Sequence, residues 1–502
     1  MSTESAYDLL PDSALLCRVI PRLFSPAECA ALLAEPQRRA FASSAANYPT
    51  YYRNNERCVV DDAALAARLL ARAAPYLPAT LPATDAPATA DWELLGVNSR
   101  IRFCRYAAGQ YFHRHLDGVH HVSPTVQSRL TFMVYLNDAR TFGGGRTLFF
   151  RDQYTPEIWA AYHPQQGDLI VFDHQIWHEG EELSAGEKFV LRSDLLYQQP
   201  APAAAPGFAA VHLGYIWQLC PLGPLLLSAG RDQVIRVWDA AGCCRQELRG
   251  HQGSVLALAR LTADTFVSGS RDQQVRIWQR GAAGAFGRSA PLPLHQGAVL
   301  ALARLADDTF ASAGADALVH IVDTQGQVRR TLRGHTDWVW QVVVLSADVL
   351  ATSSEDGSIR CWHWPSGREL LRLPGLVSVL SLAYDAPRRQ LVSGNLHGEI
   401  RVYELGADFT TATLRACWAA HRGLVRTLLP LPGGRLASGG EDSCVRVWDP
   451  ATGRAPAEHP HQNFVQALAL DAAGQLLSAS YDGSIRRWPL PEAAPAAPPP
   501  GC

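Results

Sequence analysis

The alternation of apolar and polar positions divides the first 200 residues into two helices and then a series of strands. Ser25-Pro26-Ala27-Glu28 opens the first helix, with Ser in the capping place, Pro at the first helical position and Glu at the third. An apolar run through Leu33 follows. Ala/Leu spacing from Asp62 to Ala73, with Asp at its start, predicts the second. After these, runs at 100–106, 129–136, 146–151, 168–173 and 188–196, separated by glycines, read as short strands. Short strands of this kind suggest a barrel or jelly roll.

A different regime begins near residue 200. Gln198 to Gly207 is rich in Pro and Ala and has no side-chain pattern, so it reads as a semi-rigid linker. Beyond it the sequence repeats. His251, Ser268, Asp272 and Trp278 set a spacing of His, then Ser or Thr, Asp and Trp. The same offsets give His335, Thr352, Asp356, Trp362; His421, Ser438, Asp442, Trp448; and His461, Ser478, Asp482, Trp488. The first unit, His212, Ser228, Asp232, Trp238, is one residue shorter. The third keeps His295, Ser312 and Asp316 but ends in Val322. The fifth is most eroded, with Leu376, His397 and Tyr403 in place of His, Asp and Trp.

This register resembles the WD-repeat family over about 207–490. The resemblance implies a seven-bladed β-propeller of four-stranded sheets, with each His, Asp, Ser and Trp in one hydrogen-bonded chain. Buried polar groups persist only when paired, so such a chain is kept or lost together. Pro489 follows the last Trp and cannot continue a ladder. The missing outer strand is therefore expected from about 205–211, which would close the ring. The expected organisation is mainly β: residues 1–198 a first domain, 199–206 a linker, 207–490 the propeller and 491–502 a disordered tail.

Bulk composition narrows the functional classes. A chain of 502 residues exceeds one hydrophobic core. A net charge of -2 without a basic stripe disfavours nucleic acid as partner. MSTESAYDLLPDSALL has no basic segment leading into an apolar run, and no stretch approaches a membrane span, so neither a signal peptide nor a membrane is expected. The 11 cysteines are dispersed without a CxxC pair, which reads as free thiols in a reducing cytoplasm.

Candidate chemistry sits in the first domain. His115 and Asp117 lie two apart, and residues two apart in a strand face one way. His178, in Trp177-His178-Glu179-Gly180, has to come from another strand. Two imidazoles and a carboxylate with open positions suit ferrous iron better than a closed structural zinc. His113 shares the expected strand face and is an alternative ligand, but only His115 has Asp two residues on. Lys188 and Arg192 follow downstream on one face. With Tyr106, Gly109-Gln110-Tyr111, Tyr135-Leu136-Asn137, Gly143-Gly144 and Gly167-Asp168, these residues carry a resemblance to the iron- and 2-oxoglutarate-dependent oxygenases of the prolyl 4-hydroxylase type over 98–197.

That resemblance implies a double-stranded β-helix, Fe(II) as metal with His115, Asp117 and His178 as ligands, 2-oxoglutarate and molecular oxygen as co-substrates, and ascorbate as an accessory reductant. It places Lys188 on the far carboxylate of 2-oxoglutarate, with Arg192 as rival or helper, and Tyr106 and Tyr135 beside it. Arg146 departs from the family's usual Glu, which leaves the substrate open. The presence of Asp117 favours hydroxylation over halogenation. The expected activity is hydroxylation of a protein side chain such as proline, with the propeller docking a protein or peptide. A scaffold with a vestigial or sensing oxygenase half and a small-molecule hydroxylase are the alternatives. On the propeller's top face, the WD-repeat positions fall on Tyr215, Trp217, Trp338, Trp340, Arg426, Phe464 and Tyr481, a composition typical of binding hot spots. Packing of those rings between blades is the competing expectation.

Overall fold

The structure, a computed structural model, describes residues 5–490 apart from 39–40, 45–52, 83–90, 124, 153–154, 200–207, 209–211, 283, 289–290, 307, 376, 451 and 462. The chain divides into two compact units, Met1–Ala203 and Ala204–Cys502. The expected linker 199–206 (beyond Gln199), closing strand 205–211 (beyond Phe208) and tail 491–502 lie outside the described residues.

The first unit contains the two expected helices, Pro26–Arg38 and Ala63–Ala73. The first is capped reciprocally: Ser25 N–H donates to Glu28 Oε2 at 2.7 Å, and Glu28 N–H to Ser25 Oγ at 3.2 Å. Asp62 caps the second by accepting from Leu65 N–H at 2.8 Å. All five expected strands form, at Arg100–Ala107, Val126–Tyr135, Thr147–Phe150, Leu169–Asp173 and Leu183–Gln198. They belong to two antiparallel sheets. The larger sheet contains Cys17–Ile20, Leu169–Asp173, Val126–Tyr135, Leu183–Gln198, Arg100–Ala107 and Glu56–Asp61 in that order. The smaller runs Ala160–Tyr162, Thr147–Phe150, Trp177–Gly180, Phe112–His115.

Strand alternation gives the larger sheet two apolar faces. Ile101, Phe103, Leu130, Phe132, Val134, Leu191, Leu195 and Tyr197 share a core with Leu65, Ala66 and Leu69 of the second helix. Their neighbours Cys104, Tyr106, Tyr135, Phe172 and Val190 point the other way, into a core with Phe112, Phe149 and Tyr162 of the smaller sheet. Burial of both faces explains why these strands read as near-continuous apolar runs.

In the second unit the described residues form seven antiparallel sheets, five of four strands, one of five and one of three. The first strands of successive sheets pack on one another, and that of the seventh, Val465–Leu470, packs on that of the first, Ile216–Leu222. The repeat residues form the expected polar chains. In the first, His212 Nδ1 lies 2.9 Å from Asp232 Oδ1, its Nε2 lies 2.6 Å from Ser228 Oγ, and Trp238 Nε1–H donates to that Oγ at 2.8 Å. The second, fourth, sixth and seventh repeats match this pattern. The fifth sheet forms without it. There Asn395 Oδ1 accepts from the N–H groups of His397 at 2.9 Å and Glu399 at 3.0 Å, replacing the turn Asp. Phe208 packs edge-on against Trp238 with centroids 5.4 Å apart, and Arg487 lies 5.5 Å above its ring.

Ser228→Ala strands the Trp238 indole and the His212 imidazole, and should cost about 1–3 kcal/mol. Ser312→Ala should cost less, because Val322 makes no such bond. Denaturant melts of the two variants check the order.

Candidate functional site

The inner face of the larger sheet and the facing smaller sheet bring the site together. Along Leu183–Gln198, Lys188, Arg192 and Asp194 share the parity of Val190 and turn inward with it. Register sets Lys188 opposite Tyr106 and Arg192 opposite Arg102 and Met133. In the smaller sheet His115 pairs directly with His178, and their rings lie 4.2 Å apart.

Both histidines are buried and oriented alike. His115 Nδ1 lies 2.7 Å from the His113 carbonyl, and His178 Nδ1 3.0 Å from that of Ile176. A carbonyl can only accept, so each Nδ1 carries the hydrogen and each Nε2 keeps its lone pair. The Nε2 atoms each lie 3.6 Å from a carboxylate oxygen of Asp117, and the three ligand atoms lie within 4.8 Å of one another. Phe112 stacks on His115 at 3.6 Å, and Phe172 meets His178 edge-on at 4.7 Å. Burial holds both imidazoles below their usual range, and with His115 alongside it brings His178 down to about 3. The donor set is that of neutral imidazoles and an ionised carboxylate, the form in which these groups bind a metal.

Asp117 reaches this point differently from the strand spacing expected. The strand ends at His115, and Asp117 lies just beyond it. Its N–H donates to the His174 carbonyl at 3.2 Å. Its carboxylate accepts from Thr131 Oγ1 and forms an ion pair with Arg192. Burial works to raise the Asp117 carboxyl, but Arg192 and the two histidines hold it well below the usual range. Arg192 also feels Asp194, which pairs with Arg102 at 3.2 Å. His174, only 4% exposed, has its Nε2 3.9 Å from Asp194.

Lys188 is also 4% exposed. Its Nζ donates to the Gly145 carbonyl at 2.6 Å and lies 5.6 Å and 5.5 Å from the ring centres of Tyr106 and Tyr135. Burial pushes it down to about 8. Tyr135 Oη lies 2.6 Å from Thr147 Oγ1. Arg146 pairs with Glu181 at 2.9 Å. His113 is exposed and offers only its carbonyl, so it is not the alternative ligand that strand parity suggested. The ladder irregularity between His178 and Gly180 disturbs the simple alternation here.

Sequence reasoning passed over Thr131 and Arg102. Thr131 did leave a signal, as the one aliphatic hydroxyl within the apolar run Leu130–Leu136.

The second unit gathers Tyr215, Trp217, Phe464 and Tyr481 into one cluster. Tyr215 and Tyr481 stack at 4.0 Å, Trp217 meets Tyr481 at 5.2 Å, and Phe464 lies 5.4 Å from it. Phe464 and Tyr481 are buried, while Tyr215 and Trp217 are half-buried. Arg426 bonds Glu441 at 3.0 Å and lies 5.9 Å and 5.8 Å from the rings of Phe464 and Tyr481. Trp338 and Trp340 form their own half-buried pair at 5.3 Å, with the Trp340 indole donating to Glu355 at 2.6 Å.

The family model described as the 2OG-Fe(II) oxygenase superfamily matches residues 101–193, the stretch that holds His115, Asp117, His178, Lys188 and Arg192. Residues 101–193 are a 2OG-Fe(II) oxygenase domain. That superfamily in general implies Fe(II) and 2-oxoglutarate, and the site's donor set fits the metal. WD domain, G-beta repeats match at 210–239, 242–279, 326–363, 412–449 and 457–489. The third and fifth repeats, unmatched, are those whose four-residue pattern is broken. WD repeats generally mediate protein interactions. Among similar proteins, the ribosome biogenesis protein WDR12 homolog of Nematostella vectensis is 23% identical over 61% of this chain and 82% of its own length. The WDR12 homolog of Ixodes scapularis is 22% identical over 65% of this chain and 88% of its own. Telomerase protein component 1 of Rattus norvegicus is 25% identical over 54% of this chain, which spans 9% of that protein. Among the described residues no helix is long and apolar enough to cross a membrane.

Arg192→Ala leaves Asp117 and Asp194 buried without their shared cation and should cost about 3–5 kcal/mol. Chemical denaturation of the metal-free protein measures it. Stability equal to wild type would show that the guanidinium does not hold the two carboxylates.

Proposed function

We propose that the chain is an Fe(II)- and 2-oxoglutarate-dependent dioxygenase that hydroxylates a protein side chain, proline being the first candidate. Residues 1–198 are its oxygenase domain, a double-stranded β-helix. Residues 207–490 are a seven-bladed propeller that docks substrate or partner. The observation that carries this reading is the convergence of two imidazole lone pairs on one buried carboxylate, with a buried lysine on the same inner face.

Fe(II) with 2-oxoglutarate, when bound here, would supply oxygen activation, one oxygen atom going into succinate as CO2 is released and the other into the substrate. His115 and His178 offer Nε2, and Asp117 a carboxylate oxygen, as metal ligands. Arg192 lies between Asp117 and Asp194, so of the two inward cations on Leu183–Gln198 Lys188 is the one assigned to the co-substrate's far carboxylate. Tyr106 and Tyr135 wall that cation from water, and Thr147 fixes the Tyr135 hydroxyl. Ascorbate is retained as accessory reductant. The described cysteines are free thiols, in keeping with a cytoplasmic location. Of the docking positions, the half-buried Trp338, Trp340, Tyr215 and Trp217 suit contact with a partner, while Phe464, Tyr481 and Arg426 pack around Tyr215 and Trp217. A scaffold reading is favoured by the relatives named for ribosome biogenesis, and an iron-loaded chain that makes no succinate with any captured protein would establish it.

His115→Ala, Asp117→Ala and His178→Ala should each abolish succinate formation while circular dichroism stays native; wild-type iron content in all three would place the site elsewhere. Mass spectrometry of proteins captured by the full chain should find a gain of one oxygen atom that depends on 2-oxoglutarate.

Lys188→Ala should raise the 2-oxoglutarate requirement more than Arg192→Lys. The Lys188 ammonium is present below about pH 8 and is lost above it, whereas a bound carboxylate favours the charged form. Affinity for 2-oxoglutarate should therefore be highest below pH 8 and weaken as pH rises, by up to about tenfold per unit. Lys188→Arg should flatten that dependence.

A further inference from the structure

Every repeat of the second unit has a basic side chain four residues after its turn position, and in six of them it is arginine: Arg236, Arg276, Arg360, Arg401, Arg446 and Arg486. The third repeat has His320. The arginine's task is visible in the first and sixth repeats. Arg236 Nη1 lies 2.6 Å from Asp232 Oδ2 and 2.7 Å from His212 Nδ1. Arg446 Nη1 lies 2.5 Å from Asp442 and 2.8 Å from His421 Nδ1. A fixed positive charge thus sits against the turn carboxylate. In the fourth and seventh repeats the arginine lies 3.9 and 3.8 Å from it.

In the third repeat an imidazole stands in that place and the guanidinium is missing. His295, Asp316 and His320 each offer one ligand atom, and the three lie within 4.8 Å of one another. His295 Nδ1 lies 2.9 and 3.1 Å from the two Asp316 oxygens, and the rings of His295 and His320 are 4.7 Å apart. His320 Nδ1 lies 3.0 Å from Thr331 Oγ1. Engagement of one ring nitrogen by a second partner is the usual arrangement behind a metal-bound histidine, and it leaves Nε2 for the metal.

The same repeat departs at a second point. In the five complete repeats the tryptophan N–H donates to the serine or threonine hydroxyl, which also meets histidine Nε2. Val322 removes that donor. Ser312 Oγ, 2.8 Å from His295 Nε2, is free to accept from it. An imidazole proton can then be held on Nε2, which would leave the Nδ1 lone pair unoccupied.

We propose that His295, Asp316 and His320 form a second metal site, which takes a divalent transition ion of the zinc class in place of the arginine's charge. Two imidazoles and a carboxylate suit such an ion. On binding, the His295 proton moves from Nδ1 to Nε2, where Ser312 accepts it. The metal completes its shell with water on the side where Asp316 meets solvent.

The test uses the full chain carrying Asp117→Ala and His178→Ala, so that the oxygenase triad is broken, stripped of metal and titrated with Zn2+. One equivalent should bind, and Co2+ should develop visible ligand-field absorption. Adding His320→Arg, which restores the side chain of the other six repeats, should weaken that binding by at least about tenfold and erase the cobalt spectrum. His320→Gln should do the same and guards against a folding effect of the larger side chain. Equal Zn2+ binding with and without His320→Arg, or no binding in the parent, would overturn the proposal.

Discussion

A carboxylate buried between two sheets is the constraint on which the oxygenase unit depends. Asp117 is drawn out of water, and burial alone would favour its protonated form. Arg192 reverses that preference at close range, and Asp194 with Arg102 balances the guanidinium in turn. The chain of charges fixes the register of Leu183–Gln198 as firmly as its apolar side chains do. It also fixes Asp117, which has no strand of its own and is held by its ion pair, Thr131 and one backbone bond to His174.

The second unit handles buried polarity differently. Five of the seven sheets complete their own chain from histidine to aspartate, serine and tryptophan, without drawing on the next sheet. The fifth sheet loses most of that chain and still forms, because Asn395 satisfies the turn amides and apolar packing supplies the rest. The oxygenase network has no such independence, since its members come from both sheets and from the loop after His115.

Much of this was legible in the sequence where spacing is rigid. The repeats were readable because their residues recur at fixed offsets, and the helix starts because caps are local. The pairing of His115 with Asp117 was found, but through strand spacing, and the strand stops at His115. Strand Phe112–His115 is only four residues long, too short for alternation to register, and the same shortness made His113 look like a rival. Thr131 and Arg102 could not be assigned without cross-strand register. Lys188 was set ahead of Arg192 by resemblance alone, because the two share a face; their neighbours on adjacent strands differ. Fixed repeat offsets pick out Tyr215, Trp217, Phe464 and Tyr481 as candidate docking positions, but which of these rings are buried depends on packing between the last sheet and the first.

The strand Leu183–Gln198 lines both cores of the first unit with alternate side chains. Gaining or losing one residue along it would exchange the two sets, turning Lys188 and Arg192 toward the helices and Phe189 and Leu191 toward His115 and His178. The strand is therefore closed to length variation in descent, however freely its individual apolar residues drift. Novelty at this site has to arise at its loops, where Arg146 and Glu181 already stand.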